Sequence, residues 1–172
     1  MNYSKYILSA GVIAASLTIN TTAFAKVKLN QEFPDFNLPK LQEPAKMLKL
    51  SSLKGKVVVL DFWASWCEPC KVELPVLNKM NAKYKGKGLE IIGVNEDKEP
   101  SDAKTFLNEF PVTMTLLADG QKGDVLTKLE VAGLPVTYVL DKKGKVTKIH
   151  KGFKEGDMDT FEKEIVALLK SK

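Results

Sequence analysis

Cys67 and Cys70 are the only cysteines in the 172-residue chain, and they stand two residues apart in Phe62-Trp63-Ala64-Ser65-Trp66-Cys67-Glu68-Pro69-Cys70. One helical turn brings two sulfurs at that spacing together as a disulfide or holds them apart as a dithiol, so the pair is a candidate redox switch. A structural staple is the plainer use of two cysteines in an oxidising compartment, but a loop this short removes little freedom from the unfolded chain. A closed zinc site wants four ligands, and a lone histidine, His150, does not complete one with two cysteines; we read His150 as a structural or exposed residue. Copper(I), which soft thiolates select, is the sharper metal alternative.

The flanking segments tell the two sulfurs apart. Lys56 to Trp63 is an almost unbroken apolar, β-branched run, the pattern of a strand covered on both faces in a largely parallel sheet. Val72, Val76, Leu77 and Met80 then recur at helical spacing, which places the cysteines at a helix start. There the free N–H groups and the dipole favour an anion and lower a thiol's pKa from about 8.5. Cys67, the first of the pair, is therefore the expected attacker, and Cys70, one turn inside and shielded, the resolving thiol. Pro69 suits an early helical position because its missing N–H has no partner there. Glu68 adds a like charge that works against the dipole and makes Cys67 a poorer leaving group, which favours a reductant over an oxidant. Asp61 interrupts the apolar strand, where an ionised carboxylate is costly; such a group is placed to take the Cys70 proton as that sulfur attacks. Trp63 reads as packing. Trp66 reads as partly exposed beside the nucleophile, forming with Glu68 and Pro69 a rim for a docking substrate.

These residues resemble the thioredoxin superfamily, and the Trp-Cys-Glu-Pro-Cys form is most similar to its extracytoplasmic thiol-disulfide oxidoreductases of the TlpA and ResA type. The resemblance covers nearly all of the chain after its first 25 residues. It implies an α/β thioredoxin fold: a central mixed sheet flanked by helices, with an N-terminal strand extension and a central helix-strand insert. It also implies a cis-proline loop facing the cysteines, matched by Leu134-Pro135, with Pro135 offering backbone to a substrate strand and Leu134 lining the contact. Asp61, six residues before Cys67, matches thioredoxin's buried aspartate. Glu73, three after Cys70, matches a glutamate the ResA branch uses near its active site, and Pro75 matches the proline that kinks the long thioredoxin helix. The implied activity is reduction of protein disulfides without a cofactor, with electrons from a membrane thiol donor and an apocytochrome c as a candidate substrate in cytochrome c maturation. A disulfide oxidase or isomerase and a copper(I)-binding module are the rivals. Copper-delivery relatives usually space their cysteines more widely. A peroxidatic cysteine follows a threonine or serine by three residues, whereas Ala64 precedes Cys67 at that offset and Cys67 precedes Cys70.

Length is enough for one core and one domain, 26–172. Residues 1–25 read as a secretory signal peptide: Lys5 supplies a positive start, Tyr6 to Ile19 an apolar stretch and Ala23-Phe24-Ala25 a small-residue cleavage site. That stretch is shorter than the ~20 residues a spanning helix needs, so an exported, periplasmic protein is expected rather than an anchored one, and we expect a monomer. The formal net charge is +5, yet every basic residue is a lysine. Without arginine the chain lacks the bidentate forks that read guanine and phosphate, and nucleic-acid binding is a poor reading.

Along the remaining chain, Phe33–Leu38 and Met47–Leu50 suggest two short edge strands, and Leu89–Asn95 a second buried strand. Ala103, Phe106, Leu107 and Phe110 predict an amphipathic helix with Ser101 as N-cap. A strand over Thr113–Ala118, a short helix over Asp124–Leu129, a hairpin of Val136–Leu140 with Lys145–His150 turning at Gly144, and a terminal helix from Gly156 burying Phe161, Ile165, Leu168 and Leu169 complete the pattern.

Overall fold

The computed structural model describes residues 27–120 and 124–171; the expected signal peptide lies outside them. Asn37–Pro39 (β1) and Met47–Lys49 (β2) pair antiparallel with each other in a two-stranded sheet of their own. They are therefore shorter than expected and are not edge strands of the main sheet. Pro34, Pro39 and Pro44 interrupt this region, and each removes a ladder donor. It touches the main sheet where the Leu41 N–H donates to the Leu116 carbonyl at 2.9 Å.

Val57–Trp63 (β3), Cys70–Tyr84 (α1), Leu89–Asn95 (β4), Pro100–Glu109 (α2), Thr115–Ala118 (β5), Asp124–Lys128 (α3), Val136–Leu140 (β6), Val146–Lys151 (β7) and Met158–Lys170 (α4) follow in order. The main sheet has strand order β5-β4-β3-β6-β7, with β3, β4 and β5 parallel and β6 and β7 antiparallel to their neighbours. Every residue of β3 is buried, which explains its unbroken apolar run: alternate side chains enter two separate cores. Val57, Val59 and Trp63 pack with Leu74, Leu77, Phe106, Phe161 and Ile165 from α1, α2 and α4. Val58, Leu60 and Phe62 pack on the other side with Phe33, Phe36, Leu50 and Leu129. By the same alternation Asp61 faces α1.

Three local expectations are corrected. Helix α1 begins at Cys70 with Pro69 as N-cap, so Cys67 precedes the helix rather than opening it, and Cys70 is its first residue rather than one turn inside. Val72 is half exposed, because the buried stripe runs through Cys70, Glu73, Leu74, Leu77 and Met80. Helix α2 is capped by Glu99 with Pro100 in its first turn, ahead of Ser101; proline's fixed φ and missing donor suit that position. The β6–β7 hairpin forms as expected with Gly144 at φ +83°, and α4 carries the expected apolar face, with Phe161 and Ile165 buried.

Candidate active site

Strand β3 delivers the chain to the sheet's carboxyl edge, where residues 64–69 turn into α1. The turn is held locally: the Cys67 N–H donates to the Ala64 carbonyl at 3.1 Å and the Cys70 N–H to the Cys67 carbonyl at 3.1 Å. Cys67 and Cys70 are joined as a disulfide with their Cα atoms 5.4 Å apart. Both are buried, Cys67 at 4% exposure and Cys70 at 0%. The N-terminus of α1 points its dipole into this turn, so a thiolate on Cys67 would be stabilised there. Glu68 reaches into solvent and forms an ion pair with Lys71 at 2.7 Å. The pair leaves one charge of each sign beside the sulfurs, so Glu68 does not act there as an isolated like charge. Trp66 is 69% exposed and Val72 half exposed. Trp63 is fully buried, packed against Phe106 with ring centroids 5.1 Å apart.

The Leu134-Pro135 peptide bond is cis. The Pro135 carbonyl is already occupied, accepting from the Gly152 N–H at 2.8 Å. Leu134 is half-buried between both cores.

Asp61 and Glu73 come together through Thr137, a residue that sequence reasoning missed. Asp61 stands opposite Thr137 in the β3–β6 register. The Thr137 hydroxyl lies 2.9 Å from Glu73 Oε1 and 3.3 Å from Asp61 Oδ1, while Asp61 Oδ2 and Glu73 Oε2 are buried without a hydrogen-bond partner. Burial, reinforced by the Glu73 charge, holds the Asp61 carboxyl well above the usual carboxylate range. Burial pushes Glu73 up to about 7, against a smaller opposing effect of the Thr137 hydrogen bond. Glu73 sits three residues after Cys70 on α1, a spacing that places both on one helix face. His150 extends the row, opposite Thr137 in the β6–β7 register and edge-on to Phe161 at 4.7 Å. Half-buried, with its pKa lowered by burial and then by Lys148, it is a neutral neighbour of the carboxyls at pH 7.

A second missed residue steadies the turn from outside. Asp97, in the loop after β4, accepts from the Ser65 N–H at 3.0 and 3.1 Å, from the Ser65 hydroxyl at 2.9 Å and from the Asn95 amide at 2.8 Å. Gly120 closes over this loop. A Cβ there would stand 2.1 Å from the Asp97 carbonyl, so only glycine permits the approach.

A redox-capable cysteine pair at the strand–helix junction, a cis-proline loop and this sheet order invite comparison with known proteins. The Redoxin family model matches residues 28–165. The chain belongs to the Redoxin family. Within it, similarity extends to thiol-disulfide oxidoreductase ResA of Bacillus thuringiensis (strain Al Hakam), 38% identical over 122 residues, covering 70% of this chain and 68% of that protein. ResA of Bacillus subtilis (strain 168) is 33% identical over 149 residues, covering 85% of this chain and 82% of its own. Among solved structures, a Chlorobium tepidum protein assigned as thiol:disulfide interchange protein DsbE superposes with a TM-score of 0.77 at 40% identity, covering 83% of this chain and 99% of its own. This Redoxin member is thus a TlpA/ResA-like thioredoxin-fold protein and a thiol-disulfide oxidoreductase, as its motif implied. Among the described residues no group of His, Cys, Asp and Glu is arranged to hold a metal ion, and no helix is long and apolar enough to cross a membrane.

Proposed function

We propose that this oxidoreductase works outside the cytoplasm as a reductase of protein disulfides. The Cys67 thiolate attacks one sulfur of the substrate disulfide, forming a mixed disulfide and releasing the other substrate sulfur as a thiolate. Cys70 then loses its proton and attacks Cys67 Sγ. The second substrate sulfur leaves, and the Cys67–Cys70 disulfide remains with two electrons transferred. Two buried carboxyl groups joined through Thr137, Asp61 and Glu73, the latter three residues after Cys70 on α1, are the observation that carries the reading. Glu73, poised near neutrality, matches the pH at which a thiol must give up its proton, and general bases are most effective when their pKa lies near the working pH.

Trp66 supplies the apolar docking contact, with Glu68 and Pro69 at the rim. Because the Pro135 carbonyl is taken by Gly152, the Leu134 peptide is the part of that loop offered to a substrate strand, as in other strand-addition complexes. The apolar stretch Tyr6 to Ile19 with Ala23-Phe24-Ala25 supports export through a cleaved signal peptide, to a periplasm where the cell has one. An oxidising compartment requires a supply of electrons, so a membrane thiol donor resets the disulfide. The oxidised cysteine pair of an apocytochrome c is the substrate that the ResA likeness favours, the protein acting as a monomer. Expressing Cys70→Ser in cells tests this: mixed disulfides should accumulate on Cys67 with exported proteins that carry a disulfide. Capture of disulfide-forming partners alone would end the reductase reading.

A further inference from the structure

Thr137 carries one hydroxyl proton and stands between two buried carboxyls. It cannot donate to both, since a hydroxyl has a single donor and two acceptor lone pairs. With Asp61 neutral and Glu73 ionised the arrangement is satisfied when Asp61 donates through Oδ1 to Thr137 Oγ1, and Thr137 donates to Glu73 Oε1. The shorter of the two contacts, 2.9 Å against 3.3 Å, lies on the Glu73 side, as a charge-assisted bond should.

We propose that Thr137 is a positioning residue that joins Asp61 and Glu73 into one proton relay for the resolving cysteine. This rests on the dithiol reductase reading. As Cys70 attacks Cys67 Sγ, its proton passes to the unpartnered Asp61 Oδ2. The proton on Asp61 Oδ1 moves to Thr137, and the Thr137 proton moves to Glu73 Oε1. One proton has left Cys70 and one has arrived at Glu73; the electron pair of the Cys70 thiolate forms the new S–S bond, and the departing sulfur takes the pair of the old one. Asp61 ends neutral, as it began, so a carboxyl whose pKa burial raises still serves the step.

The Glu73 end of the relay lines a cavity whose lining includes neither cysteine. Glu73 and Thr137 line a cavity of about 20 Å³ with His150, Gly152, Phe153, Lys154, Asp157, Met158 and Phe161, room for about one water. Glu73 exchanges its proton there, so it does not have to pass back through the substrate interface. The groups facing the relay are Asp61 from β3, Glu73 from α1, His150 from β7, and Lys154 and Asp157 from the segment before α4.

A single-turnover reaction of the reduced protein with dithionitrobenzoate separates the steps. The first thionitrobenzoate reports attack by Cys67, the second reports resolution by Cys70, and the leaving group needs no proton. In Thr137→Val the second release should slow about tenfold at pH 7, the slowing confined to that phase, and its acid midpoint should move up because Glu73 loses a hydrogen bond that favours its charged form. Thr137→Ser should restore both. In a Glu73→Gln background, Thr137→Val should add nothing. The relay is overturned if the Thr137→Val profile superimposes on the wild type, if serine fails to rescue, or if the full loss persists without Glu73. Failure of the wild-type protein to give two releases would instead overturn the dithiol reading beneath it.

Discussion

Glu73→Gln should make the protein's stability less sensitive to pH, with a sign and size that follow from burial. Glu73 is 4% exposed, and its carboxyl is raised from an ordinary 4.5 to about 7. Folding therefore favours the protonated form. The stability this group contributes is fully present below about pH 4.5 and is lost as pH rises through about 7. Each pH unit across that interval is worth about 1.4 kcal/mol, so the wild type should lose about 3 kcal/mol from this group alone. Glutamine has no proton to release and keeps an amide that can accept from Thr137. Measured against wild type in the oxidised state, the variant should gain about 3 kcal/mol between pH 4 and pH 8. Urea unfolding followed by the fluorescence of Trp63 and Trp66 gives the difference at each pH as a shift in midpoint at constant m. A difference that stays flat within about 0.5 kcal/mol across that range would refute the claim that burial raises the Glu73 carboxyl toward neutrality.

Trp66→Ala should leave stability within about 0.5 kcal/mol, because the side chain is 69% exposed. Its KM for a protein disulfide should rise several-fold while small-disulfide kinetics stay near wild type; equal losses on both substrates would remove Trp66 from docking. Asp97→Ala strips partners from the Ser65 N–H, the Ser65 hydroxyl and the Asn95 amide, which should cost about 2–4 kcal/mol and lower Tm by about 5–10 °C. Gly120→Ala should act in the same direction through the Asp97 carbonyl, and an unchanged Tm in both would show that this loop does not hold the turn. Leu77→Ala, in the fully buried stripe of α1, should cost about 2–5 kcal/mol in denaturant unfolding, with reactivity of the cysteines preserved at temperatures where the variant is folded.

The cysteine pair was legible because its chemistry depends on local spacing, and β3 was legible because a strand buried on both faces must be apolar throughout. The same run exposed Asp61 as the residue out of place. Thr137 could not be found that way. It lies 64 residues from Glu73, its type is ordinary for a strand, and only the antiparallel register of β6 against β3 sets it opposite Asp61. His150 joins the same row one strand further on, so a histidine that looked remote along the chain proved adjacent across the sheet. Asp97 lies in a polar loop, Glu96-Asp97-Lys98-Glu99, where nothing in the local sequence marks one acid from the next, whereas its carboxylate is turned inward to the Ser65 peptide. Val72 was misplaced for a different reason. Apolar type implied burial, but the helix stripe is set by Cys70, Leu74 and Leu77, and Val72 falls off it and is half exposed.

The central claim is that one sulfur, Cys67, is the reactive one and Cys70 is kept behind it with the carboxyls. Differential alkylation of the reduced protein at neutral pH, with each modified thiol identified by mass spectrometry, tests this most directly. Cys67 should be modified at least about tenfold faster than Cys70, and prior oxidation should protect both. Equal, slow modification of the two thiols, or preferential modification of Cys70, would contradict the account.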